Sequence, residues 1–497
     1  MKEYIMCLDL GTTGVRCVIF DKLGQIVSMT KEKFTQIYPG PGMVEHDPEE
    51  IWQLQVQVCK TTLERSGISA GDIAALGITN QRETVVVWDK DTGKPVYNAI
   101  VWQDRRTAER LKEADIQDAS DAIRKKTGLL PDAYFSASKI EWILKNVPGA
   151  RRGAEEGRLI AGTVDTWIIW KLTGGRCHLT DYTNASRTML FDIEGLEWDD
   201  ELLGIFNIPE KMLPEVKPSA GYFGTTEVSL FGAEIDITGV AGDQQSSLFG
   251  HGCFGEADIK NTYGTGCFLL MNTGKKRMDS KYGLLTTLTA GTVSGSPEYA
   301  LEGSVYSAGV LVDWLCEGIG LFGSPDELER FAASVPDTNG VYIVPAFSGL
   351  GAPYWDSSAR GIITGLTGGV KKSHIARAAL EAIGLQSLDV LRTMEQDVGK
   401  CVAYLRTDGG VGVNDVLMQF QADVSGVPVT RAECQESTAL GAAFLSGLGC
   451  GFWKDTKEIQ ELLKDGDTFT PQMSGEGVKV KREEWKKAVE KVRIKQV

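Results

Sequence analysis

Two distant stretches of this chain share one pattern, and it constrains the fold more than any other feature. Tyr4-Ile-Met-Cys-Leu-Asp-Leu10 runs into Gly11-Thr-Thr-Gly14 and then into Val15-Arg-Cys-Val-Ile-Phe-Asp21. Ala257 to Asn261 leads in the same way to Tyr263-Gly-Thr-Gly266 and Cys267-Phe-Leu-Leu-Met271. Apolar strand, tight glycine turn, apolar strand reads as a hairpin with a buried face. Its recurrence predicts a duplicated α/β domain with a cleft between the copies. The boundary falls near residues 245–255, giving domains 1–248 and 249–497. No low-complexity linker separates them, so the halves are expected to pack directly, with closure hinged at that boundary.

The surrounding elements fit an α/β unit. Gln25-Ile-Val-Ser-Met-Thr30 reads as a third strand. A helix follows, with Asp47 as N-cap, Pro48 at the first position and Glu50 at capping-box spacing. Trp52, Val56, Cys59 and Leu63 recur at helical spacing, and Gly67 marks the stop. Ile73-Ala-Ala-Leu-Gly-Ile-Thr79 is then a buried strand ending in Asn80-Gln-Arg-Glu83. This β-β-β-α-β order predicts mixed sheets flanked by helices. In the second half, Asp236 to Asp243 is a strand ending in a loop, and Gln244 to Phe249 is helical. Lys400 to Arg406 is a strand leading into Thr407-Asp-Gly-Gly410, and Glu483 to Val492 is a terminal helix.

Several function classes are disfavoured. With 52 Lys+Arg against 67 Asp+Glu, the formal charge is −15, which argues against nucleic-acid binding. No apolar run is long enough for a membrane span, and Met1 to Leu10 lacks a signal-peptide pattern. The ten cysteines occur singly with no Cys-x-x-Cys pair, so a structural zinc site is not expected and a reducing, cytoplasmic setting is. There is no G-x-x-x-x-G-K-[ST] loop, H-E-x-x-H pair or G-x-S-x-G elbow. Gly250-His-Gly-Cys-Phe-Gly255 matches a dinucleotide pattern but follows a helix rather than a strand.

What remains is three glycine turns beside buried strands: Asp9-Leu-Gly-Thr-Thr-Gly14, Gly264-Thr-Gly266 and Asp408-Gly-Gly410. Glycine lets backbone N–H groups approach phosphate oxygens, and threonine hydroxyls add donors. Taken singly, each is a hairpin turn. Together they suit a polyphosphate. The three resemble the two phosphate loops and the adenosine loop of the actin and sugar-kinase superfamily. Tyr134-Phe-Ser-Ala-Ser-Lys139-Ile-Glu-Trp142-Ile-Leu-Lys-Asn146 resembles the first signature of the FGGY carbohydrate kinases. Gly361-Ile-Ile-Thr-Gly365-Leu366, with His374-Ile375 and Ala378-Ala-Leu-Glu381, resembles the second. Thr79 to Thr84, Val101 to Arg106, Gly242 to Gln245 and Phe347 to Trp355 look most like family members that act on glycerol.

The resemblance implies two duplicated actin-like (ribonuclease H-like) domains with mixed sheets flanked by helices and an active site in the interdomain cleft. It implies ATP-dependent phosphorylation of glycerol. Arg82, Glu83 and Tyr134 would bind the hydroxyls, with Gln244 assisting and Trp102 and Phe268 walling the carbons. Asp243 would be the general base. Thr12, Thr13, Arg16, Thr265, Gly309, Gly410 and Asn414 match nucleotide-contacting positions, and Asp9 and Asp243 match positions for Mg²⁺. A homodimer or homotetramer is implied too. Gly14 stands where many relatives carry a serine, and Asp313 where they often carry glutamine, so Asp313 is given no nucleotide contact. Glu227 to Gly232 holds no histidine, so control by histidine phosphorylation is not expected. The rival readings are a pentulose kinase and a non-catalytic nucleotide switch.

Overall fold

The computed structural model describes residues 2–291, 295–356 and 358–493. The chain forms two compact units. The first contains residues 1–252, 286–299 and 437–463, and the second contains 253–285, 300–436 and 464–497.

In the first unit the opening pattern forms a meander. Tyr4–Leu10 pairs antiparallel with Gly14–Phe20, which pairs antiparallel with Ile26–Lys33. Ile73–Asn80 lies parallel to Tyr4–Leu10 on its other side, and Ile237–Gly242 lies parallel to Ile73–Asn80. A parallel step needs a crossover, and the helix Pro48–Ser66 supplies the first one. Strand 73–80 is sandwiched within the sheet and buried nearly throughout, which explains its unbroken apolar run.

Helix Pro48–Ser66 starts as expected, with Asp47 accepting from the Glu49 N–H and Gly67 closing it at φ 69°. Two details differ from the sequence reading. Glu50 does not complete a capping box; its Oε1 accepts from the backbone N–H and hydroxyl of Thr35. The buried face is Ile51, Gln55, Val58, Cys59, Thr62 and Leu63, rotated from the Trp52–Val56 stripe. Local bonds permit this, since Gln55 donates to the Arg16 carbonyl and Thr62 to the Val58 carbonyl.

The second unit repeats the order. Ile259–Tyr263 pairs antiparallel with Cys267–Gly274 and parallel with Leu405–Asp408. Val429–Ala432 then lies parallel to Leu405–Asp408, so both units share the same central strand order. The later strand starts at Leu405 rather than Lys400, and the terminal helix is longer than expected, Gly475–Val492. Among the described residues no helix is long and apolar enough to cross a membrane.

The expected boundary at residue 248 falls inside the helix Asp243–Gly250, and the first crossing comes at Gly252–Cys253. Helix Ser437–Cys450 then returns to the first unit. It packs backbone to backbone there: a Cβ on Gly77 would meet the Ala442 carbonyl oxygen at 2.4 Å, and one on Gly239 the Ser446 nitrogen at 2.3 Å.

Beneath the strand ends of the first unit lies a buried polar network. Asp165 accepts from Thr163 and Thr180 hydroxyls at 2.5 and 2.6 Å. Asn80 and Asn184 bond each other, and Asn184 also donates to Asp181. Thr183 then accepts from the Gly242 N–H at 2.8 Å. The network thus ties the end of strand 73–80 to the residue before Asp243. Burial, and then the charge of Asp181, pushes the Asp165 carboxyl up to about 7. A folded-state pKa above the unfolded value of about 3.9 gives stability that is lost as pH rises through the folded pKa. Asp165→Asn removes that loss. The Tm difference, variant minus wild type, should therefore grow as pH rises from about 5 to about 8. A difference flat across that range in calorimetry would contradict the assignment.

Candidate active site

In the first unit, three parallel strands end at one edge of the sheet, where Leu10 and Gly242 both lie opposite Asn80. Ligands of open α/β sheets bind beyond the carboxyl ends of such strands. The segments leaving this edge carry Thr12, Thr13, Arg82, Glu83, Asp243 and Gln244, all singled out from the sequence.

The loop after Asp9 is a tight turn, with the Gly11 N–H on the Gly14 carbonyl at 3.0 Å. Gly14 has a backbone reason to be glycine: a Cβ there would meet the Glu32 carbonyl oxygen at 2.5 Å across the neighbouring strand. Asp9 is buried and pairs with Arg16, Nε to Oδ2 at 3.2 Å. Thr12 accepts from the Trp102 indole N–H at 3.0 Å, and Thr13 is exposed. The first phosphate-loop candidates and the Trp102 wall are therefore joined directly.

Arg82 and Glu83 leave strand 73–80 on a sharp turn, and Glu83 sits at φ 62°, an uncommon conformation for a non-glycine residue. Arg82 is buried and faces Asp243, Nε to Oδ1 at 3.2 Å, while its Nη1 donates to Gln245. Asp243 opens the helix Asp243–Gly250 and remains partly exposed, its side chain at 30%. Its Oδ1 accepts from the Gln244 N–H at 2.7 Å and its Oδ2 from the Gln244 side chain at 3.2 Å. Tyr134 meets Trp102 edge to face at 5.6 Å between ring centres. Polar groups and an aromatic corner thus gather in one place, as a small polyol site requires. Phe268 lies in the second unit, half-buried on strand Cys267–Gly274.

Three residues have parts here that the sequence reading did not assign. The buried Arg187 donates from Nε to Glu83 Oε1 at 2.7 Å. Gln245 receives Arg82 and donates to Thr287 at 3.1 Å. Lys139 is fully buried and donates to the carbonyls of Ala133, Tyr134 and Phe135. It clamps the turn that presents Tyr134, and burial brings its ammonium down to about 7. The lysine inside the Tyr134–Asn146 motif was visible in the sequence; Arg187 had no local pattern to mark it.

The second unit holds a pocket of about 370 Å³ that gathers Thr265, Gly309, Gly410 and Asn414, the nucleotide candidates of that half. Glycines Gly264, Gly309 and Gly410 line it together with Val312, Leu328, Leu380, Val411 and Val413. The Gly309 N–H bonds the Gly264 carbonyl and the Ala308 N–H the Thr265 carbonyl, both at 3.0 Å. Gly409 adopts φ 91° where a Cβ would meet the Tyr263 carbonyl oxygen at 2.5 Å. Asn414 caps helix Asp415–Ser425 by accepting from the Leu417 N–H. Asp313, Asp326 and Glu329 also line the pocket, with no Lys or Arg. Asp313, which the sequence reading gave no nucleotide contact, thus lines the same pocket as the nucleotide candidates, and burial raises its carboxyl. A pocket lined by three carboxylates and no Lys or Arg suits the hydroxyl- and amine-bearing nucleoside end of a nucleotide better than its phosphates.

The duplicated α/β scaffold is that of a carbohydrate kinase. The N-terminal domain of the FGGY family of carbohydrate kinases matches residues 4–250, and its C-terminal domain matches residues 259–450. The chain belongs to the FGGY family. It is 55% identical to glycerol kinase 2 of Thermotoga maritima over 98% of both chains. It is 54% identical to the glycerol kinase of Caldanaerobacter subterraneus over 99% of both. The crystal structure of Plasmodium falciparum glycerol kinase with ADP superposes with a TM-score of 0.91 at 38% identity, covering 99% of this chain and 98% of that one.

Proposed function

We propose that the chain transfers the γ-phosphoryl group of ATP to a terminal hydroxyl of glycerol, giving sn-glycerol 3-phosphate. The observation that carries this reading is the Arg82–Asp243 pair beside Glu83, Trp102 and Tyr134, in a chain 55% identical to a glycerol kinase along its length. Arg82 donates to a substrate hydroxyl and Glu83 accepts from the next, while Tyr134 adds a phenolic partner. Trp102 faces the carbons, and Phe268 is the second apolar wall that the family resemblance implies. Asp243 takes the proton from the attacking hydroxyl, and Gln244 keeps its carboxylate oriented. Thr12, Thr13, Arg16 and Thr265, on the two phosphate loops, act on the phosphates, and the pocket lined by Gly309, Gly410 and Asn414 takes the nucleoside. Because the phosphoryl transition state is loose, these residues work chiefly by positioning and charge stabilisation.

Mg²⁺ fits the donor chemistry. Asp9, near the end of strand Tyr4–Leu10, and Asp243, at the start of helix Asp243–Gly250, each offer a carboxylate, and no cluster of three or more ligating side chains occurs among the described residues. One or two carboxylates completed by substrate phosphates and water is the set Mg²⁺ uses. When bound, it neutralises charge on the phosphates.

The test is coupled ADP release with Mg-ATP, comparing glycerol, xylulose, ribulose and no acceptor. Turnover with glycerol alone is the expected result. Turnover only with a pentulose would overturn the substrate assignment, and turnover independent of any acceptor would favour a nucleotide switch.

A further inference from the structure

We propose that Arg187 is a positioning residue for acceptor recognition, holding the Glu83 carboxylate and the Tyr134 ring in their working places; this rests on the site reading above. Glu83 is buried, and its left-handed backbone persists only where the surroundings impose it. Two contacts do so. The Ser136 hydroxyl donates to the Glu83 carbonyl at 3.0 Å, and Arg187 Nε donates to Glu83 Oε1 at 2.7 Å. The Arg187 and Glu83 side chains are 0% and 1% exposed. Water therefore does little to screen this pair, unlike a surface salt bridge.

The same guanidinium lies 5.7 Å from the Tyr134 ring centre and 5.3 Å from that of Phe135. Cation–aromatic contact at that range is attractive, more so when desolvated. One buried cation thus touches two of the three groups assigned to the substrate hydroxyls. It reaches them from elsewhere in the chain, just after the helix Tyr182–Ala185. That segment is anchored to the same corner, because the Thr188 carbonyl accepts the Ala137 N–H at 2.9 Å. A carboxylate that must receive a hydroxyl proton donor has to stay ionised and fixed in direction. An opposite charge at hydrogen-bond distance favours the ionised, acceptor-only form, and the directional N–H bond fixes it.

A purely structural ion pair would affect both substrates alike. Positioning through Glu83 would affect only the acceptor. Initial rates of wild type, Arg187→Met, Arg187→Lys, Glu83→Gln and the Arg187→Met/Glu83→Gln double variant separate these, with acceptor and ATP varied independently. Wild type is assayed first. If it does not use glycerol, the functional reading above fails, and the acceptor that does support turnover is used in the same comparison.

We expect Arg187→Met to raise the acceptor KM about 30-fold or more while the ATP KM stays within about threefold. Arg187→Lys keeps the charge but loses the fork, and should raise the acceptor KM by about three- to tenfold. In the Glu83→Gln background, Arg187→Met should add less than about fivefold, because its effect passes through Glu83. An unchanged acceptor KM, parallel rises in both KM values, or full additivity in the double variant would each overturn the proposal. If Arg187→Met does not fold, Arg187→Lys and an Arg187→Lys/Glu83→Gln double variant decide: an acceptor-KM rise that disappears in the Glu83→Gln background supports the proposal, and no rise, or one that persists in that background, overturns it.

Discussion

Asp243→Asn is expected to lower kcat by about 10²–10⁴-fold, the usual loss when a general base is removed, while glycerol and ATP still bind. The substitution keeps the shape and one acceptor oxygen beside Gln244, but turns the other into an NH2 donor and removes the charge and the proton acceptor. Asp243 is also the ion-pair partner of Arg82 at 3.2 Å, so a second route to lost activity exists. If Arg82 loses its place, glycerol binding weakens along with turnover. If only the base is lost, the glycerol dissociation constant stays within a few-fold and kcat alone falls. Calorimetric titration of glycerol, set beside steady-state kcat, separates the two. More than about a tenth of wild-type kcat in a folded variant would remove Asp243 from the chemistry.

The loops were legible because their positions follow from strands that the sequence announces. Asp9, Arg82 and Asp243 each lie at or just past the end of an apolar run, and parallel strands bring such ends to one edge. Their roles came from family resemblance, not from spacing. Arg187 was not legible, since its importance lies in a bond to a residue 104 positions away. That Asp313 lines the pocket was not legible either, because a substituted residue says what side chain is present, not which surface it reaches. The helix face of Pro48–Ser66 was misjudged for a related reason. Apolar periodicity identified the helix, but Gln55 and Thr62 are buried through bonds to carbonyls that no hydropathy pattern contains.

The return of helix Ser437–Cys450 to the first unit was also missed, and it underlies the largest expected stability effect. Its sequence, Ser437-Thr-Ala-Leu-Gly-Ala-Ala-Phe-Leu-Ser-Gly-Leu-Gly-Cys450, is rich in small residues, but nothing local says which surface they approach. The structure places Gly441 against the helix that begins at Asp243. A Cβ on Gly441 would meet the Ser246 carbonyl oxygen at 1.8 Å, and one on Gly250 would meet the Ser437 carbonyl oxygen at 2.0 Å. Both obstacles are backbone, so no side chain can swing aside and the helices must separate. Overpacking of this kind costs about 1–3 kcal/mol and sometimes more. Gly441→Ala should therefore lower Tm by about 2–5 °C, despite alanine's better helix propensity. Activity should suffer beyond stability, because Asp243 opens the displaced helix and a shift of about 1 Å at a reacting group can cost about 10²-fold. Gly204→Ala is the control: Gly204 lies in helix Asp200–Ile205 with nothing within 4 Å of a built Cβ, so Tm should hold or rise slightly. Equal Tm values for the two variants would show that the Gly441 contact is not as close as described. A Gly441→Ala protein with reduced Tm but full kcat would show that Asp243 is held by its own loop and the Gly242–Thr183 bond, not by the helix behind it.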